Sequence, residues 1–280
     1  MTLHAMTRAG LLTGTLLVLP NLAPAVAGQT SPLLPPQVER GISVEVAHPS
    51  FRELDTAAAT SVWHLGGSLP LLSGLRAVVD VPVAYAAFDG VPGEFTGSST
   101  VLGNPYLGVE YAVRPFLVLE GGIRAPLTTA DAESYADVVG FLADVSRGEA
   151  FLENAFPVAL GARMEHRVRP DVSLGARVGT VQAFYTGDDE EMSSMTLVDY
   201  GVGTSWTRGA ARIGAGLAGR WDASADEGTF GENSLHQLGL TADLALGPVR
   251  PGLSLRLPLD QDHRDVLKAS VGAYVQIPIR

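Results

Sequence analysis

The chain has 280 residues, 46% of them hydrophobic and 18% charged, and a formal net charge of −11 at pH 7. That acidity argues against a nucleic-acid partner, and with no cysteine neither a disulfide framework nor thiolate chemistry is available. The apolar content (mean hydropathy +0.19) is spread evenly along the chain and not gathered into helical blocks.

The first residues read as an export signal. Arg8 supplies a weak positive region, Leu11–Leu19 an apolar run, Pro20 and Pro24 a break, and Ala25-Val26-Ala27 a small-x-small cleavage site. The run is too short for the ~20 residues of a spanning helix. The expected organisation is a signal peptide over 1–27, a short extension over 28–40, and one domain over 41–280. Removing 1–27 takes away one arginine and no acid, so the mature chain is more acidic still.

From residue 41 onward apolar and polar positions alternate, and period two means strands. Val271, Ala273, Val275, Ile277 and Ile279 share one parity, against Ser270, Gly272 and Gln276 on the other. Twelve strands are predicted, at 41–48, 57–71, 75–87, 101–113, 116–126, 156–169, 172–184, 196–207, 210–221, 235–246, 249–259 and 266–280. Their connections alternate in length. Ser73-Gly74, Arg114-Pro115, Pro170-Asp171, Arg208-Gly209 and Gly247-Pro248 are tight turns. Segments 49–56, 88–100, 127–155, 185–195, 222–234 and 260–265 are longer. This is the pattern of an all-β, antiparallel transmembrane barrel, with short periplasmic turns and long outer loops.

Parity also assigns the faces. Ala77, Val79, Val81, Val83 and Tyr85 oppose Arg76 and Asp80; Leu119 and Ile123 oppose Glu120 and Arg124; Leu160 and Met164 oppose Arg163 and Glu165; Ile213 opposes Arg212. An arginine turned to lipid at the midplane costs ~2–4 kcal/mol, so the polar parity is expected inside. The candidate pore-lining set is Asp80, Glu110, Glu120, Arg124, Arg163, Glu165, Arg177, Asp199, Arg212 and Arg220. Facing arginines and glutamates at similar depth would hold a field across the lumen. Glycine recurs on the inner parity, and Tyr85, Phe184, Trp221, Tyr111 and Trp206 mark the two strand ends as interfacial girdles.

Little here reads as catalytic or metal-binding chemistry. None of the six histidines stands at ligand spacing; His64 and His236 read as isolated, and His166 as an outward residue near a turn with Ser173 on the next strand. Asp260-Gln261-Asp262-His263-Arg264-Asp265 has the acids of a calcium loop but not its glycine or its terminal glutamate. Asp188-Asp189-Glu190-Glu191 reads as a solvated loop tip, or as a cation bridge to lipopolysaccharide phosphates. In the longest loop, Tyr135, Val138, Val139, Leu142 and Val145 form a helical stripe, which predicts a helix that either packs on the rim or plugs the mouth.

The stretch Val101–Val113, VLGNPYLGVEYAV, resembles the Gly-[Asp/Asn]-x-x-Leu-Gly-x-[Glu/Lys]-Tyr strand of the outer-membrane barrels grouped as the MetA-pathway phenol-degradation family, here through Gly103, Asn104, Leu107, Gly108, Glu110 and Tyr111. The likeness extends loosely through the preceding Val79–Tyr85 strand and the helix-bearing loop. It implies an outer-membrane transporter for small, often aromatic or apolar, solutes. The expected function is therefore a passive channel without catalysis or cofactor, its partners being outer-membrane lipid, lipopolysaccharide and a small solute. The alternatives are a lipid hydrolase and a structural or adhesive barrel working through acidic loops. Oligomeric state is not legible.

Overall fold

In a computed structural model the described residues are 40–52, 59–91, 95–128, 135–186 and 194–279. The expected signal peptide and the Asp188–Glu191 run lie outside them. Thirteen strand segments form one antiparallel sheet: β1 (Gly41–Phe51), β2 (Ala59–Leu72), β3 (Leu75–Val91), β4 (Phe95–Leu102), β5 (Tyr106–Arg114), β6 (Leu117–Arg124), β7 (Ala155–Arg169), β8 (Val172–Tyr185), β9 (Ser194–Arg208), β10 (Ala211–Asp222), β11 (Ser234–Leu244), β12 (Arg250–Pro258) and β13 (Leu267–Pro278). Except for β4 and β5, which both pair with β3, each strand pairs with its chain neighbours, and β1 also pairs with β13, from Gly41 opposite Pro278 to Phe51 opposite Leu267. The sheet is thus closed, which leaves no open edge to be satisfied in lipid.

The barrel has twelve staves, because β4 and β5 both lie along β3 as two halves of one. β4 pairs with its loop-end half (Val83–Val91) and β5 with its turn-end half (Leu75–Asp80). The expected continuous strand 101–113 is corrected here. It starts earlier, at Phe95, and breaks at Gly103-Asn104-Pro105. Pro105 has no N–H to give a ladder, and the backbone N–H of Asn104 points inward to the Ala150 carbonyl at 2.6 Å.

Cross-strand partners share a face, so the expected parity can be followed around the wall. Leu107, Leu119, Val178, Val202, Ile213, Leu253 and Val271 are all exposed, and Leu160 at mid-strand is 65% exposed. A continuous exterior apolar band of this extent belongs against lipid, not water. No helix among the described residues is long and apolar enough to cross a membrane. On the inner face Gly108 and Gly122 are register partners, and the Tyr106 ring lies flat against both, where a Cβ at either position would collide with it.

Two of the long connections carry helices. α1 (Ala136–Ala143) and a 3-10 turn (Gly148–Phe151) fall in the longest, and α2 (Gln261–Val266) replaces the loop expected at 260–265. Eight residues are too few for a helix to stand alone in water, and packing holds α1. Its Ala136, Val139 and Ala143 pack with Phe151 against Phe51, Val62, Ala84, Ala86, Val101 and Leu267, inward residues at the loop ends of β1 to β4 and β13. Gly140 lets the Phe151 ring press on the helix backbone, since a Cβ there would stand 2.6 Å from the ring. The helix is inside the mouth. It is a plug and not a rim ornament.

Candidate functional site: the plugged lumen

Toward the short-turn end, the interior holds a row of ion pairs, a ladder running along β3, β5, β6, β7 and β8. Arg76 Nε donates to Glu110 Oε2 at 2.7 Å, and Arg163 Nη2 to the same oxygen at 2.6 Å. Arg163 Nη1 reaches Glu120 Oε2 at 3.4 Å, and Arg177 closes the row on Glu120 Oε1. A second group gathers on Asp243, which takes Arg212 at 2.6 Å, Arg250 at 3.3 Å and the Tyr274 hydroxyl at 3.1 Å.

Above the ladder, polar groups of the wall grip the segment 144–152. Glu149 lies between two wall arginines, with Oε1 3.0 Å from Arg124 Nε and Oε2 2.6 Å from Arg220 Nη2. Arg147 reaches out to Glu45 at 2.7 Å and back to Asp144 at 3.0 Å, and Arg256 bridges the same two acids. Gln237 accepts from the Val145 N–H at 3.2 Å. Asn104, fully buried at the strand break, donates from Nδ2 to the Leu152 carbonyl at 2.7 Å and accepts the N–H groups of Leu127 and Thr128 at 3.0 Å. The break therefore serves as the dock for the 3-10 turn. Burial raises the pKa of Asp144 and of Glu149, but the guanidinium groups outweigh it. Arg256 and Arg147 hold Asp144 below its usual range, and Arg220 and Arg124 bring Glu149 down to about 2.

Between plug and ladder remains a cavity of about 100 Å³, with Ser43, Asp80, Tyr106, Arg147, Glu149 and Arg177 among its walls. His64 pairs with Asp80 at 3.1 Å beside it, so His64 is not isolated.

The structure places all ten candidate lumen residues on the interior parity but divides them. Glu110, Glu120, Arg163 and Arg177 build the ladder, and Arg212 sits in the Asp243 group. Arg124, Arg220, Asp80 and Asp199 hold or back the plug, with Arg220 on Asp199 at 2.6 Å and Arg124 on Asp80 at 3.6 Å. Glu165 stands apart near the turns, beside Ser173. In place of the field expected across an open lumen, these charges pair along the wall: Arg163 with Glu110 and Glu120, Arg177 with Glu120, and Arg212 with Asp243. Sequence reading passed over Glu45 and Arg256, although each lies on the inner parity, between Val44 and Val46 and between Leu255 and Leu257. It also missed Asp144, Arg147 and Glu149, which carry no local signal.

Of two further histidines, His166 keeps the outward place its parity gives it, and His236 is corrected. His166 is opposite Leu174, and Ser173 is opposite Arg167, so His166 and Ser173 lie on different faces of the wall. His236 is not isolated. On the outer face near the loop end its Nδ1 meets Asp260 Oδ1 at 2.8 Å and its Nε2 meets the Tyr200 hydroxyl at 2.6 Å, with the Phe230 ring 6.2 Å from that of Tyr200. Asp260 is thus engaged by His236. Among the described residues no group of three or more His, Asp or Glu could hold a metal ion.

No family model matches the chain, and no curated protein matches it in sequence. Solved structures do match its fold. The COG4313 outer membrane channel from Pseudomonas putida F1 superposes with a TM-score of 0.57 at 13% identity, over 87% of this chain and 96% of that one. The translocator domain of autotransporter NalP from Neisseria meningitidis gives 0.56 at 11% identity, over 86% and 88%. The NanC porin gives 0.54 at 9% identity, over 85% and 100%. The fold is that of the outer-membrane β-barrels, porin-like in form. Similarity at this identity extends to the fold alone.

Proposed function

We propose that this chain is an outer-membrane channel for small solutes, exported by its N-terminal signal and closed by its own 127–155 segment, so that passage requires the plug to leave its seat. The observation that carries the reading is how the lumen is filled. Buried ion pairs add little stability over apolar packing of the same volume, so a barrel serving only as a scaffold has no need of charged residues throughout its interior. Here the wall charges fix a separable segment. The Gly103–Tyr111 resemblance adds small aromatic or apolar compounds to the solute range, and the reading involves neither catalysis nor cofactor.

Planar-bilayer conductance of refolded protein, wild type against a deletion of residues 131–150, tests the channel. Conductance that rises on deletion is expected; a deletion form that remains silent would sink the reading. The outward Tyr200–His236–Asp260 chain favours the second reading, a lipid hydrolase. That reading would prevail if the preparation released fatty acid from phospholipid and lost this activity in His236→Ala.

A further inference from the structure

The contact of Glu149 with the wall has the chemistry of a bound ligand. One carboxylate, carried on a separable segment, is held by two guanidinium groups from different staves, one oxygen to each. Arg124 and Glu149 both border the cavity, so one side of the clamp faces open volume inside the barrel. The fit is incomplete. Arg220 is 4% exposed, and its Nη2 is shared between Glu149 and Asp199 while no described residue accepts a hydrogen bond from its Nη1. A guanidinium edge is matched by a carboxylate that takes two parallel N–H groups, and Glu149, tethered through the 3-10 turn, takes only one.

We infer that Arg124 and Arg220 form a carboxylate-binding site, that Glu149 occupies it as a built-in surrogate, and that a small free carboxylate displaces Glu149 and with it the plug. The inference rests on the channel reading and narrows its solute to one bearing a carboxylate. Asp199 and Asp80 keep both arginines charged and oriented after Glu149 leaves, so the site persists in the open state. A neutral isostere of the ligand cannot compete, because it offers no charge-assisted bonds; these exceed neutral ones by enough to change occupancy on the order of tenfold.

The chain has no cysteine, so Ser146→Cys, in the plug and on the cavity wall, gives a single reporter. The rate at which a water-soluble thiol reagent labels it reads plug displacement without requiring conduction. Acetate is expected to speed labelling on the order of tenfold, while acetamide and chloride at equal concentration do not. Glu149→Gln in the same background should label fast with no acetate present, and Arg220→Gln should lose the acetate response. Equal effects of acetate and acetamide, or fast labelling of Glu149→Gln combined with no acetate effect in its Glu149 parent, would overturn the inference. Conductance of the 131–150 deletion reports separately on the channel. A deletion that conducts while acetate leaves labelling unchanged removes only the carboxylate site. A silent deletion with acetate-driven labelling removes only the channel.

Discussion

The two halves of the lumen are closed by different physics. At the loop end an eight-residue helix and a single phenylalanine fill the mouth against alanines and valines of the wall. At the turn end the staves themselves close the space, through Arg76, Glu110, Arg163, Glu120 and Arg177 in one row. The first closure joins a loop to the wall, and the second joins wall to wall. On the channel reading, loosening the first opens the lumen, whereas loosening the second weakens the barrel.

That difference is open to test. Phe151→Ala removes the largest apolar contact of the plug and should cost its seating about 3–5 kcal/mol. The open-state occupancy then rises on the order of 10²-fold or more, while the urea midpoint of the barrel barely moves. A loss of global stability without added conductance would mean that the plug is part of the barrel's core. Arg163→Met acts on the other half. It leaves Glu110 with Arg76 alone and Glu120 with Arg177 alone, so the penalty of a broken buried pair falls at its lower limit, about 3 kcal/mol. Urea unfolding should report it, and closed-state conductance should not.

The same division explains what the sequence could and could not reveal. The wall was legible because period two is a local property: Leu119 against Glu120 and Ile213 against Arg212 state their faces without reference to any other strand. The seat was not, because its contacts join residues such as Glu45 to Arg147 and Arg256, 102 and 211 positions away, and they depend on the closed register. The Gly103-Asn104-Pro105 break lies inside a stretch whose alternation continues on both sides. The plug helix was visible in its 3.6 period, yet its buried face is Ala136, Val139, Gly140 and Ala143, whereas Val138, from the expected stripe, is 47% exposed. Inside a barrel the helix must turn its small residues to the wall, and a pattern read by hydrophobicity favours the large ones.

The smallest effect expected separates the plug's charges from its lid. Asp144 and Glu149 have pKa values below their ordinary 3.8 and 4.5. A depressed carboxylate stabilises the seated form at any pH above its ordinary value, and that contribution is lost only as pH falls through the seated value, about 2 for Glu149. Between pH 8 and 5 the clamp therefore contributes no pH dependence. His263 of α2 behaves otherwise. Burial lowers it from 6.5, against the opposing pull of the Leu142 carbonyl at the end of α1 and of Asp260. A histidine held neutral by burial favours the seated form above pH 6.5, and this contribution drains away as pH falls from there toward its lowered value. Open-state occupancy should thus be flat from pH 8 to 6.5, then rise a few-fold by pH 5. His263→Gln should be flat throughout. A rise that survives in His263→Gln would place the acid response on the Arg124–Glu149–Arg220 clamp, and would mean that those carboxylates titrate far above the range their arginines impose.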